Sequence, residues 1–161
     1  MKSFCLLFLS LLFFSCNSSA QKKIETKKET FKVTKTDAEW KAQLSAAEYN
    51  VLRKEGTERA FSSEFNDNHK KGTYTCAGCG TPVFKSEHKF DSGTGWPSFD
   101  RAIKGNVSFS KESNLGYERT EEHCAVCGGH LGHVFNDGPK ETTGKRHCVN
   151  GVALNFIPEN E

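Results

Sequence analysis

The sequence predicts a mainly β domain in which short N-terminal helices lead into an antiparallel core. Three observations carry that prediction. Helix-start signals are confined to residues 36–55. Beyond Gly72 the chain breaks into short β-type runs separated by Gly, Asn and Asp. Two C-x-x-C pairs fall in that second half, where a shared ion or cross-links would hold small sheets together.

In the helical part, Thr36-Asp37-Ala38-Glu39 and Ser45-Ala46-Ala47-Glu48 each place a hydroxyl at an N-cap with Glu three residues on, the capping-box pattern. The second opens a helix predicted over 46–55 and stopped by Gly56. The β candidates are 72–75, 82–84, 107–110, 117–123, 133–135 and 151–157. No repeat of fixed period is visible. A chain of 161 residues suits one such domain. With 22 basic against 20 acidic residues and no basic stripe interleaved with aromatics, nothing points to nucleic acid as a partner. Fourteen Gly and four Pro exclude a collagen-like or Pro-rich filament.

Residues 1–20 stand apart from the domain. Met1 and Lys2 precede an apolar run over 4–14, broken by Cys5 and Ser10. The run is too short to span a bilayer and fits the apolar region of an export signal. Two processing sites compete: Ser18-Ser19-Ala20 before Gln21, and Phe13-Phe14-Ser15-Cys16, which resembles a lipobox that would leave Cys16 lipidated. An uncleaved anchor is the third reading. The expectation is an exported protein of the bacterial cell envelope, periplasmic or lipid-anchored, touching membrane through that anchor alone. Residues 21–35 are polar and read as a solvated tether, with the domain over 36–158.

The cysteines divide sharply. Cys76-Ala77-Gly78-Cys79 and Cys124-Ala125-Val126-Cys127 are matched knuckles with small residues at the bend. Two such turns complete a tetrahedral four-cysteine zinc site, which has no open coordination position and is therefore structural. A redox C-x-x-C and two structural disulfides remain as alternatives in an exported protein. Cys5 leaves with the signal and Cys16 is removed or lipidated, so Cys148 stands alone in Arg146-His147-Cys148-Val149-Asn150. The positive charge of Arg146 and His147 would favour its thiolate; a buried, inert cysteine is the plain alternative.

Three further segments concentrate functional residue types. Asp91-Ser92-Gly93-Thr94-Gly95-Trp96-Pro97-Ser98-Phe99 is a Gly-rich loop presenting an indole. Gly129-His130-Leu131-Gly132-His133-Val134-Phe135 carries two imidazoles three residues apart. Asn136-Asp137-Gly138-Pro139 is a turn that can hold a carboxylate beside them. Each taken singly has a plain reading as core or turn.

Together with Gly56-Thr57-Glu58-Arg59 and the knuckles, these motifs stand in the order found in the B-type peptide-methionine (R)-S-oxide reductases, which the chain resembles over about 36–158. The resemblance implies two antiparallel sheets with peripheral helices and a structural zinc, one per chain, on Cys76, Cys79, Cys124 and Cys127. It implies Cys148 as nucleophile, with His130, His133 and Asn150 around the sulfoxide oxygen and Asp137 in the same loop. Trp96, aided by Phe135, would receive the substrate methyl group. The implied substrates are oxidised proteins or peptides bearing methionine-R-sulfoxide. The implied chemistry is thiolate attack on the sulfoxide sulfur with protonation of its oxygen, leaving a sulfenic acid.

One position departs from the pattern. Many relatives carry a second, resolving cysteine where this chain has Thr94. Recycling is therefore expected to use an external small thiol or a thioredoxin-like reductant. The rival reading from another class is a zinc-stapled binding module without catalysis, against which Cys148, His130, His133 and Trp96 speak jointly.

Overall fold

The computed structural model describes residues 30–113 and 118–159. The expected export signal, Cys16, the first part of the expected tether and Tyr117 lie outside the described residues. Two helices, α1 (Asp37–Gln43) and α2 (Ala46–Lys54), open the fold. Both capping boxes form: Thr36 and Ser45 accept from the amides of Glu39 and Glu48, whose carboxylates return to the cap amides. α2 stops at Lys54 because Glu55 adopts the left-handed conformation at φ 56°, so the stop precedes the glycine from which it was predicted.

Nine strands follow among the described residues: β1 (Gly72–Cys76), β2 (Pro82–Lys85), β3 (Lys89–Phe90), β4 (Ser98–Phe99), β5 (Val107–Glu112), β6 (Arg119–Cys124), β7 (His130–Phe135), β8 (Arg146–Val149) and β9 (Leu154–Pro158). They build two antiparallel sheets, ordered β2-β1-β9 and β3-β4-β8-β7-β6-β5. The predicted strand over 151–157 starts late: Gly151–Ala153 is a 3-10 turn whose first amides are taken by a side chain, Glu58, so they cannot join a ladder. β3, β4 and β8 were not among the predicted strands. β3 and β4 are two residues each, too short to show alternation. β8 reads Arg-His-Cys-Val, whose Arg146 and His147 are buried against Asp137 and Glu122, outside the segment itself.

The core lies between the sheets. Tyr74 and Phe84 of the small sheet meet Phe99 of the large one, with Phe84 and Phe99 stacked at 4.4 Å and Tyr74 edge-on to Phe99 at 5.1 Å. All three are fully buried, and burial of rings this size stabilises by roughly 2–3 kcal/mol each. α2 adds Val51 and Leu52 to this cluster. The described end of the expected tether is seated on the second knuckle: the Val33 amide donates to the Val126 carbonyl, and Phe31 packs edge-on to His123. Two apolar side chains in a polar run explain that docking. Among the described residues no helix is long and apolar enough to cross a membrane.

Candidate active site and metal centre

The large sheet aligns a row of residues directly across four of its strand pairings: Ser110 on β5, Glu121 on β6, His133 on β7, Cys148 on β8 and Ser98 on β4. Direct cross-strand partners share a face. Gly132 permits the close approach of β7 to β8, because a Cβ there would run into the Cys148 carbonyl. By period-two alternation Arg146 lies on the Cys148 face, whereas His147 turns to the other face and pairs its Nδ1 with the buried Glu122 at 2.6 Å. The positive charge beside Cys148 is thus supplied by Arg146 and not by His147, a correction that strand geometry imposes. Burial pushes the Cys148 thiol above its ordinary range, and the Arg146 charge pulls against this without prevailing. Arg146 thus acts on the sulfur in the expected direction, but burial outweighs it and holds Cys148 toward the thiol.

Each imidazole on this face is held by a carboxylate. His133 Nε2 meets Glu112 Oε1 at 2.7 Å, and Glu112 also pairs with Arg119. His130 Nδ1 meets Glu121 Oε1 at 2.8 Å, and the two histidine rings stand edge to face at 5.3 Å. Burial holds His133 below its ordinary range despite Glu112, so it is neutral at pH 7. His130 is 2% exposed, and its Nε2 has no hydrogen-bond partner among the described residues.

Asp137 grips Arg146 with both oxygens, at 2.8 and 2.9 Å, and the guanidinium lies over the Phe135 ring at 4.4 Å. Asp137 and Phe135 therefore orient the cation beside Cys148. Asn150 is buried and engaged with backbone: its Oδ1 accepts from the Glu58 amide at 2.9 Å and its Nδ2 donates to the Leu131 carbonyl at 2.9 Å. One Nδ2 hydrogen remains for any other partner. The Trp96 indole donates to the Glu58 carbonyl at 3.2 Å.

Glu58 is therefore a clasp. Its carboxylate takes the Gly151 and Val152 amides at 2.7 and 2.9 Å while its backbone fixes Asn150 and Trp96. Sequence reasoning quoted its motif without a role, and it missed Glu112 and Glu121 altogether. Strand alternation places both glutamates on one face, but which histidine each meets depends on a register that local sequence does not carry.

The four knuckle sulfurs converge. All lie within 4.8 Å of one another; Cys76 and Cys127 are 3.7 Å apart, Cys79 and Cys124 3.5 Å. Four sulfurs about 2.3 Å from a tetrahedral ion stand roughly 3.8 Å apart, so the cluster fits zinc. A disulfide requires sulfurs about 2.05 Å apart, so neither the disulfide alternative nor a closed redox pair describes this arrangement. The cluster could hold a metal ion. It shares no residue with the Cys148 face.

Residues 44–158 match the SelR domain family. The peptide methionine sulfoxide reductase MsrB of Leptospira interrogans is 50% identical over 130 residues, covering 80% of this chain and 98% of that protein. The MsrB of Thiobacillus denitrificans is 51% identical over 127 residues, covering 78% and 96%. That of Methanosarcina barkeri is 50% identical over 130 residues, covering 80% and 91%.

Proposed function

Since the chain belongs to the SelR-domain family, whose similar members are peptide methionine sulfoxide reductases, we propose that it reduces methionine-R-sulfoxide in proteins to methionine, with Cys148 as the nucleophile. The observation that carries this reading is the direct cross-strand pairing of Cys148 with His133, one strand from the loop that holds Trp96.

The proton needed by the chemistry is already on this face. The thiol of Cys148 passes it to the neutral His133, giving a thiolate and an imidazolium steadied by Glu112. Nε2 is committed to Glu112, which leaves Nδ1 for the transfer. The thiolate attacks the sulfoxide sulfur, forming an S–S bond as His133 returns the proton to the oxygen. The resulting hydroxyl then leaves the substrate sulfur for Cys148 while the S–S bond breaks and its electron pair departs with the thioether. Thiol and sulfoxide thus become sulfenic acid and thioether: Cys148 is oxidised by two electrons and the substrate sulfur reduced by two. Arg146, aimed by Asp137, offsets negative charge as it develops. Trp96 receives the methyl group, aided by Phe135, while the polar side reads the oxygen, which separates the epimers.

With Thr94 in the loop and the other described cysteines gathered in the knuckle cluster, an external thiol or thioredoxin-like protein reduces the sulfenic acid, two thiols giving one disulfide and water. Zinc on Cys76, Cys79, Cys124 and Cys127 supplies no reaction step and stabilises the fold. Turnover of the separate R and S epimers of a blocked methionine sulfoxide, with dithiothreitol as reductant, tests the reading. Reduction of R alone is expected; equal rates, or reduction of S alone, would overturn it.

A further inference from the structure

A chain of side-chain hydroxyls runs from Cys148 into the Gly-rich loop. Thr94 Oγ1 lies 4.0 Å from Cys148 Sγ. Ser92 Oγ lies 2.8 Å from Thr94 Oγ1 and 2.8 Å from Ser98 Oγ. Ser98 Oγ donates to the Trp96 carbonyl at 3.1 Å.

Each hydroxyl has one proton, so the far end fixes the direction of the whole chain. A carbonyl can only accept, which commits the Ser98 proton to Trp96. Ser92 must then donate to Ser98. Its proton used, Ser92 can only accept from Thr94, as it also does from the Thr94 amide at 3.4 Å. Thr94 therefore meets sulfur with a lone pair. For Thr94 to donate to a thiolate instead, the chain must reverse and Ser98 must leave the Trp96 carbonyl, which loses one hydrogen bond.

We propose that Ser98, Ser92 and Thr94 form a directed hydroxyl relay that presents an acceptor to Cys148 and favours its hydrogen-bearing forms, thiol and sulfenic acid, over the thiolate. The proposal rests on Cys148 being the nucleophile, and it makes the three hydroxyls positioning residues. The position where many relatives hold a resolving thiol here steadies the oxidised sulfur until an external reductant arrives.

The other groups around Cys148 stay in place when the relay is altered. Arg146, held by Asp137, faces it from its own strand, His133 from β7 and, beyond it, Glu121 from β6. Glu122 and His147 lie on the opposite face. Their fields act equally on wild type and relay variants.

The test is the pH dependence of Cys148 alkylation by iodoacetamide in the zinc-loaded full chain, read by mass spectrometry of the Cys148 peptide. Ser92→Ala frees the Thr94 proton for sulfur, so the midpoint falls by about one pH unit and alkylation at neutral pH quickens about tenfold. Thr94→Val removes the acceptor but supplies no donor, so its midpoint falls by less than that of Ser92→Ala; Thr94→Ser keeps the wild-type value. A purely structural role would move the midpoint more in Thr94→Val, beside the sulfur, than in Ser92→Ala one step removed; a larger fall in Ser92→Ala requires the freed Thr94 proton. A Ser92→Ala midpoint unchanged or raised overturns the relay. Should that variant misfold, Ser98→Ala must give the same downward shift, because it releases Ser92 toward Thr94. If wild type turns over neither epimer the catalytic reading fails, while the alkylation midpoints still decide the relay.

Discussion

At the knuckles, four cysteines turn their sulfurs toward one another, and three of the four are buried. On β8, one cysteine faces an imidazole, a guanidinium and a hydroxyl instead. The side chain is the same, and its company differs. Sulfurs that share one tetrahedral space are matched to an ion and have no room for a substrate. A sulfur beside proton carriers can change its protonation and be attacked or attack. The two regions use different backbone to do this. The knuckles are tight turns from β1 and β6, so each brings its pair together locally. Cys148 is assembled by register, with its neighbours supplied by β4, β7 and the Gly-rich loop.

The contrast breaks most sharply at Cys148, the nucleophile we propose. Cys148→Ser should reduce turnover to trace levels, a loss of at least about a thousandfold, because a serine hydroxyl gives no comparable nucleophile at neutral pH. Zinc content and melting temperature should stay as in wild type. Activity well above trace would place the nucleophile elsewhere.

Cys76→Ser should do the reverse. Binding free energy at a structural zinc is largely folding free energy, so metal analysis should show zinc lost and the melting temperature lowered by at least about 10 °C. An unchanged melting temperature would mean that the knuckles are dispensable to the fold.

A smaller effect sharpens the reactive side. The Glu112 carboxylate raises the proton affinity of His133 against the burial that lowers it. Glu112→Gln removes that support, so the His133 value drops further and the limb of the kcat/KM profile that it sets moves to lower pH. Turnover at pH 7 should fall about tenfold. A profile unmoved along the pH axis would show that Glu112 does not act through His133.

Much of this was legible from local sequence. The two capping boxes and the matched knuckles are patterns complete within four residues, so nothing distant is needed to recognise them. The mainly β character followed from short runs between turn formers, and the lone Cys148 from setting the knuckles aside. Other features were out of reach. β8 has no alternation of apolar and polar residues, since Arg146 and His147 are buried by partners, Asp137 and Glu122, that approach only in the folded sheet. That Arg146 shares the face of Cys148 while His147 does not required knowing that the segment is a strand. Glu112 and Glu121 meet His133 and His130 through pairings across β5, β6 and β7, shifted by a bulge between Glu122 and His123. Thr94, Ser92 and Ser98 became a proton chain because the loop folds back on β8. The sequence by itself determined which chemical groups exist and how each short segment turns. The tertiary structure decided which groups face one another, because strand register and loop closure depend on contacts between residues far apart in the chain.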